Sequence, residues 1–234
     1  MPSNAAPRAW QVVLENIEGD LLAGRLRPGD RLPPERDLST QLGVGRSSVR
    51  EALRVLEVLG LVRTGTGSGP TSGATIVAAP RGGLSALLRL QVAANGFVIA
   101  DVVSTRVTLE SAVVETLADA HDPDLTEVHA AVQAMAEPEV PVLEYLALDR
   151  AFHLALAEAS GNAVASAIMV GLRTAIDAYV EAGALRVPDW AQTAERLTAE
   201  HRAIVAAIES GDAATAQRLV REHIAGYYRE ASTA

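Results

Sequence analysis

Cysteine is absent from the sequence, which removes disulfides, cysteine zinc fingers and thiol nucleophiles together and suits a reducing compartment. Lysine is absent as well: all 20 basic residues are arginine, a bias of composition before it is a signal of function. The N-terminal "MPSNAAPRAWQ" has no apolar core of the kind a signal peptide needs, and no apolar run approaches the roughly 18 residues of a membrane span. These absences lead to the expectation of a cytoplasmic protein with no membrane partner. Hydrophobic residues are plentiful, 49% of 234, enough to build one large domain or two ordinary ones and too many for a disordered chain.

Charge is unevenly placed. Residues 1–79 carry nine arginines against eight acids, and residues 80–234 carry eleven against twenty-one, within a total of −9. The first part is therefore near neutral and the second strongly acidic, so any affinity for nucleic acid depends on where individual arginines point rather than on net charge.

Residues 8–23 place Trp10, Val13, Leu14, Ile17, Leu21 and Leu22 on one helical face. "RLRPGDRLPPER" is a Pro-rich turn that launches a helix near Pro34, where proline fits the first turn because its missing N–H has no intrahelical partner. That helix stops at Gly43. After "GVG" a third helix runs from about Arg46 to Leu59, burying Val49, Leu53, Leu56 and Leu59 and presenting Arg46, Ser47, Arg50 and Arg54 on its other face. Two β-prone runs follow, Leu61–Thr64 and Ala74–Val77, joined by a Gly/Ser/Thr loop as in a hairpin with a long tip. "AAPRGG" (78–83) reads as a hinge. Beyond it, helical periodicity is interrupted at "NG", "HDP", "EPEVP", "SGN", "RVPD" and "ESGD", which predicts six or seven helices.

The expected fold is mainly α: an N-terminal winged helix-turn-helix over 1–79, a hinge at 80–83, and an all-α helical bundle over 84–234. In a winged helix-turn-helix the N-terminal end of the second helix enters the major groove, so Arg46, Ser47, Ser48 and Arg50 would reach bases and phosphates first. Arginine suits that task because its guanidinium grips a guanine edge or a phosphate with two hydrogen bonds. A solvated face of mixed charge is the alternative.

"LPPERDLSTQLGVGRSSVREALRVLEVLGLV" resembles the DNA-binding domain of GntR-family transcription regulators, whose pattern runs L-P-[SP]-E-R-x-L, a turn, then S-R-x-x-V-R-E-A-L-x-x-L. The resemblance implies that Arg36, Arg46 and Arg50 contact DNA, that Ser47 and Ser48 contact phosphate, and that Gly67 of the wing approaches the minor groove. Two departures stand out. Gly45 replaces the usual Ser or Thr before the recognition helix, although glycine is tolerated at an N-cap, and the wing loop is longer than the common pattern.

In the second part, ionisable residues lie on apolar stripes. Asp149 and His153 share the stripe of Val142, Leu146 and Leu156; His201 lies with Leu197, Ile204, Val205 and Ile208; His223 lies with Leu219, Val220, Ile224 and Tyr227. Three inward imidazoles and one carboxylate from three helices would supply four N/O ligands for a divalent transition metal. An Asp–His pair with two unrelated core histidines is the alternative. His121 and His129 sit at a helix end and on a mixed face, as solvated residues do.

Residues 84–230 resemble the FCD effector-binding domain of the FadR subfamily, through "RVTLESAVVETLA", "DRAFHLALAEASGN" and "EHRAIVAAIESGDAATAQRLVREHI". Similarity to its metal-binding branch implies Asp149, His153, His201 and His223 as ligands of a divalent metal, zinc or nickel. It also implies Arg106 paired with an effector carboxylate and Asn162 near the metal. An i, i+4 ion pair of Arg106 with Glu110 and a helix-capping role for Asn162 are the local alternatives. The expected function is that of a homodimeric regulator, a repressor, on double-stranded operator DNA, retuned by a small organic acid. A regulator sensing the metal itself and a metal-dependent enzyme are the competing readings; for the enzyme, no general acid or base accompanies the four ligands.

Overall fold

The computed structural model describes residues 8–65, 73–77 and 82–233. The chain packs as two units, Met1–Leu84 and Ser85–Ala234. Helices α1 (Ala9–Leu22), α2 (Glu35–Leu42) and α3 (Arg46–Val58) and strands β1 (Val62–Gly65) and β2 (Gly73–Ile76) form the first. Val13 and Ile17 of α1, Leu38 of α2, and Val49, Ala52, Leu53 and Leu56 of α3 close a core against Val62, Ala74 and Ile76. Two residues expected on these apolar faces are exposed: Leu22, the last residue of α1, and Leu59, the residue that caps α3. Both sit where the helix ends, beyond the stretch that packs on the core.

The turn between α2 and α3 is made by Gly43, which caps α2 in the left-handed region at φ 65°, a conformation that costs glycine little. Ser39 Oγ donates to Val44 O across this turn, 2.6 Å away. Strands β1 and β2 pair antiparallel from Val62↔Ile76 to Gly65↔Gly73, and Arg31 bridges to Thr75 on the outer side of β2.

The second unit is built from α4 (Gly82–Ala93), α5 (Ile99–Asp119), α6 (Thr126–Met135), α7 (Val142–Ala159), α8 (Ala163–Ala184), α9 (Trp190–Glu209) and α10 (Ala213–Thr233). Gly82 and Gly83, expected in a hinge, are the first residues of α4. Three expected breaks coincide with left-handed, non-glycine residues, Asn95, Asp122 and Glu139, so the chain turns sharply there. Phe152, Leu156, Met169, Ile176, Ile204, Val220 and Ile224 fill the bundle interior, and α7, α9 and α10 direct their histidines into it.

Uninterrupted apolar runs in the sequence fall short of a membrane span, yet α8 is long and apolar enough to cross a membrane by length and composition, with mean hydropathy 1.4. Its alanines, valines and isoleucines raise the average around a polar middle. There Arg173 and Asp177 pair with Asp149 and Arg150 of α7, as befits a core helix of the bundle.

Candidate functional site

On the first unit, Arg46, Ser47 and Arg50 are exposed on the first two turns of α3, with Ser48 half-buried beside them. Arg36 is exposed on α2, its Nε 3.3 Å from Asp37 Oδ1. Gly67 lies outside the described residues. Arg50 donates from Nη2 to Glu35 Oε2 at 3.1 Å and from Nε to Oε1 at 3.5 Å. Glu57, on the same helix, instead accepts from the Thr64 amide and hydroxyl, which ties α3 to β1. Gly45 at the N-cap of α3 supplies no side-chain cap, so the amides of the first turn point outward without one.

In the bundle the structure brings Asp149, His153, His201 and His223 together, with one ligand atom from each inside a sphere where no two are more than 4.8 Å apart. The Nε2 atoms of His201 and His223 are 3.1 Å apart, and those of His223 and His153 are 3.3 Å apart. Asp149 Oδ1 lies 3.2 Å from His201 Nε2, 3.6 Å from His153 Nε2 and 4.0 Å from His223 Nε2. Donors bound about 2.0–2.2 Å from one divalent ion are themselves about 3 to 4 Å apart, so the set fits a metal.

Partners behind the rings settle which nitrogen faces inward. Glu110 of α5 accepts from His153 Nδ1, and Glu200 of α9 accepts from His223 Nδ1 at 2.7 Å. A proton held on Nδ1 leaves the Nε2 lone pair pointing into the cluster. His201 Nδ1 is buried with no hydrogen-bond partner among the described residues. Glu110 in turn is gripped by Arg106 Nε at 2.8 Å, and Arg106 Nη1 donates to the Tyr228 hydroxyl at 3.1 Å. Glu200 accepts from Arg196 at 2.7 Å, and Asp149 Oδ2 accepts from Arg173 at 2.5 Å.

Electrostatics follow this wiring. Burial by itself would raise the carboxyls of Glu110 and Asp149, but Arg106 and His153 for the first, and Arg173 and His153 for the second, hold both well below the usual range. Burial pushes His201 down to about 3, assisted by the neighbouring His223, and burial also lowers His223. Imidazoles that resist protonation keep their lone pairs free, as metal ligands must.

Sequence reasoning did not find Glu110 as a partner of His153, nor Glu200 or Arg173. Each reaches the cluster from a helix face that looks ordinary in the sequence. Arg106 forms the i, i+4 pair with Glu110 and also lines a small cavity beside Asp149, His153, Arg173 and His223. Asn162 is not brought there. It is exposed and caps α8, accepting from the amides of Val164 at 3.2 Å and Ala165 at 3.0 Å. These bonds are those of the helix-capping alternative, and Asn162 is not among the residues that line the cavity beside the cluster. His121 and His129 are exposed, His129 pairing with Glu209.

The family "Bacterial regulatory proteins, gntR family" matches residues 10–71, and the FCD domain matches residues 101–226. The chain is a GntR-family regulator. Among its relatives is the Glc operon transcriptional activator of Escherichia coli K12, 29% identical over 222 residues, covering 92% of this chain and 85% of that protein. The HTH-type transcriptional regulator LutR of Bacillus subtilis is 28% identical over 216 residues, 88% of this chain and 97% of that one. A solved GntR protein of Streptococcus agalactiae superposes with a TM-score of 0.65 over 95% of this chain and 99% of its own, at 24% identity, a likeness of fold. These relatives are transcription regulators, and this GntR regulator binds DNA through its first unit; the enzyme reading has no support among them.

Proposed function

We propose that this GntR regulator is a metal-dependent homodimeric repressor, acting in the cytoplasm, that leaves or shifts on its operator when a small carboxylate enters the FCD domain. Arg36, Arg46, Ser47, Ser48 and Arg50, with Gly67 of the wing, are its DNA contacts. Asp149, His153, His201 and His223 hold a divalent transition metal, zinc or nickel, which supplies positive charge for an acid ligand. The observation that carries this reading is the convergence of three buried imidazole nitrogens and one carboxylate oxygen within the bundle.

The cavity beside the cluster has a volume of about 20 Å³, room for about one water molecule. An organic acid enters only if the side chains around it move. Arg106 and Arg173, both lining the cavity and both paired to carboxylates, are the cations such an acid would meet. A ligand that forces this rearrangement distinguishes two states of the domain, and a change from 1:99 to 99:1 between them takes about 5.5 kcal/mol of differential binding.

The test is operator binding by the full chain with chelator, with zinc or nickel, and with a panel of small organic acids on the metal-loaded protein. Release by acid only when metal is present supports the proposal. Response to metal alone makes the ion the signal. Activation of a reporter in place of repression favours the second reading, an activator, to which the name of the Escherichia coli relative points.

A further inference from the structure

Arg50 is held by its side edge. Glu35, the first residue of α2, takes the Nε and Nη2 hydrogens of a guanidinium carried on the second turn of α3, at 3.5 and 3.1 Å. Both side chains are partly open to solvent, Arg50 at 57% and Glu35 at 37%, so the pair sits on the surface that α3 presents. A guanidinium has five N–H donors in a planar fork. With one edge occupied, the opposite fork, formed by Nη1 and the outer hydrogen of Nη2, has no partner among the described residues. That fork matches O6 and N7 of guanine.

The carboxylate also changes what Arg50 prefers. A free arginine on a DNA-binding face takes a phosphate readily and releases a counterion in doing so. Beside Glu35 the pair is close to neutral, and a phosphate brought to it meets a like charge. Base edges carry no such charge and are not repelled.

We propose that Glu35 is a specificity-determining residue, which turns Arg50 from a phosphate ligand into a reader of one guanine. The inference rests on the assignment of Arg50 to the DNA contacts. It predicts an unusual result for removal of an acid next to a DNA-binding helix: tighter binding with poorer discrimination.

The test uses the full-length protein and two probes, duplexes selected by the wild type from a randomised pool and one unrelated duplex of equal length. Glu35→Gln should bind the unrelated duplex several-fold more tightly. The slope of log affinity against log salt should steepen by about 0.9 per bound protomer, the value for one added phosphate contact. Re-selection should lose preference at one G·C pair, the same pair lost by Arg50→Ala, and Glu35→Asp, which keeps the charge, should retain it. An unchanged slope and an unchanged selected motif in Glu35→Gln overturn the proposal, as does an equal loss on both probes, which a merely structural role would give. If Arg50→Ala itself leaves the selected motif intact, the assignment of Arg50 to DNA is wrong and the role of Glu35 falls with it.

Discussion

His201 Nε2 lies 3.1 Å from His223 Nε2, and both rings are buried. Two imidazole nitrogens facing each other in a buried site, with a third 3.3 Å from His223, are a favourable arrangement only when a proton or a cation lies among them. Zinc or nickel should therefore raise the melting temperature of chelator-treated protein. At a free metal concentration about 100 times Kd the gain is about 2.7 kcal/mol, several degrees for a chain of this size. His201→Ala should abolish the metal-dependent part of the shift in a thermal melt.

Glu110 and Glu200 hold the Nδ1 atoms of two of the three rings. Carboxylates in this position orient the ring and raise its basicity, and their loss lowers metal affinity by about 10–100-fold. Competition against a chromogenic chelator should show losses of this order for Glu110→Gln and Glu200→Gln. The operator affinity of the metal-free protein should stay at its wild-type value, because neither residue is on the DNA-binding unit.

Acid should destabilise the metal-free protein. His201 is depressed to about 3 and His223 is lowered, chiefly by burial. As pH falls through the ordinary imidazole range near 6.5, the unfolded chain gains these protons before the folded chain does. Stability is therefore complete above about pH 6.5 and declines below it, towards the folded value of His201. Asp149 and Glu110, held below their usual range, add to the decline below about pH 4 by the same sign. Melting curves between pH 8 and pH 5 should be level in the upper part and fall in the lower. A shallower fall in His201→Gln assigns part of it to this ring; a rise on acidification would contradict the wiring of the cluster.

Arg46 opens the recognition helix and is exposed. Arg46→Ala should weaken binding to the selected operator by about 1–3 kcal/mol at fixed salt, with melting temperature unchanged. Fluorescence anisotropy on a labelled duplex reads the first quantity and calorimetry the second.

Asn162 caps α8 through two amide hydrogen bonds. Asn162→Ala should cost about 1 kcal/mol of stability while metal affinity and response to organic acids stay as in the wild type. A loss of acid response without a loss of stability would place Asn162 in the effector site after all.

Periodicity and turn signals predicted three helices before the hinge and six or seven after it, close to the ten described, because an apolar stripe at three- and four-residue steps is a local property of the chain. For the same reason it showed that Asp149 and His153 share a face and that His201 and His223 point inward. The ends of helices were less legible: Leu22 and Leu59 continue an apolar pattern past the point where there is core to cover. Likewise α8 reads as apolar while its middle carries a buried guanidinium.

The sequence by itself determined the family, the arginine face of α3 and the four candidate ligands, since each is written in residues close together or in a stripe on one helix. Only the tertiary structure decided that Glu110 backs His153, that Glu200 backs His223, that Arg173 rather than solvent neutralises Asp149, and that Glu35 takes the side of Arg50. Each of these joins two elements whose relative rotation and depth are set by packing of the whole core. A carboxylate on a helix looks the same in sequence whether it faces water or an imidazole.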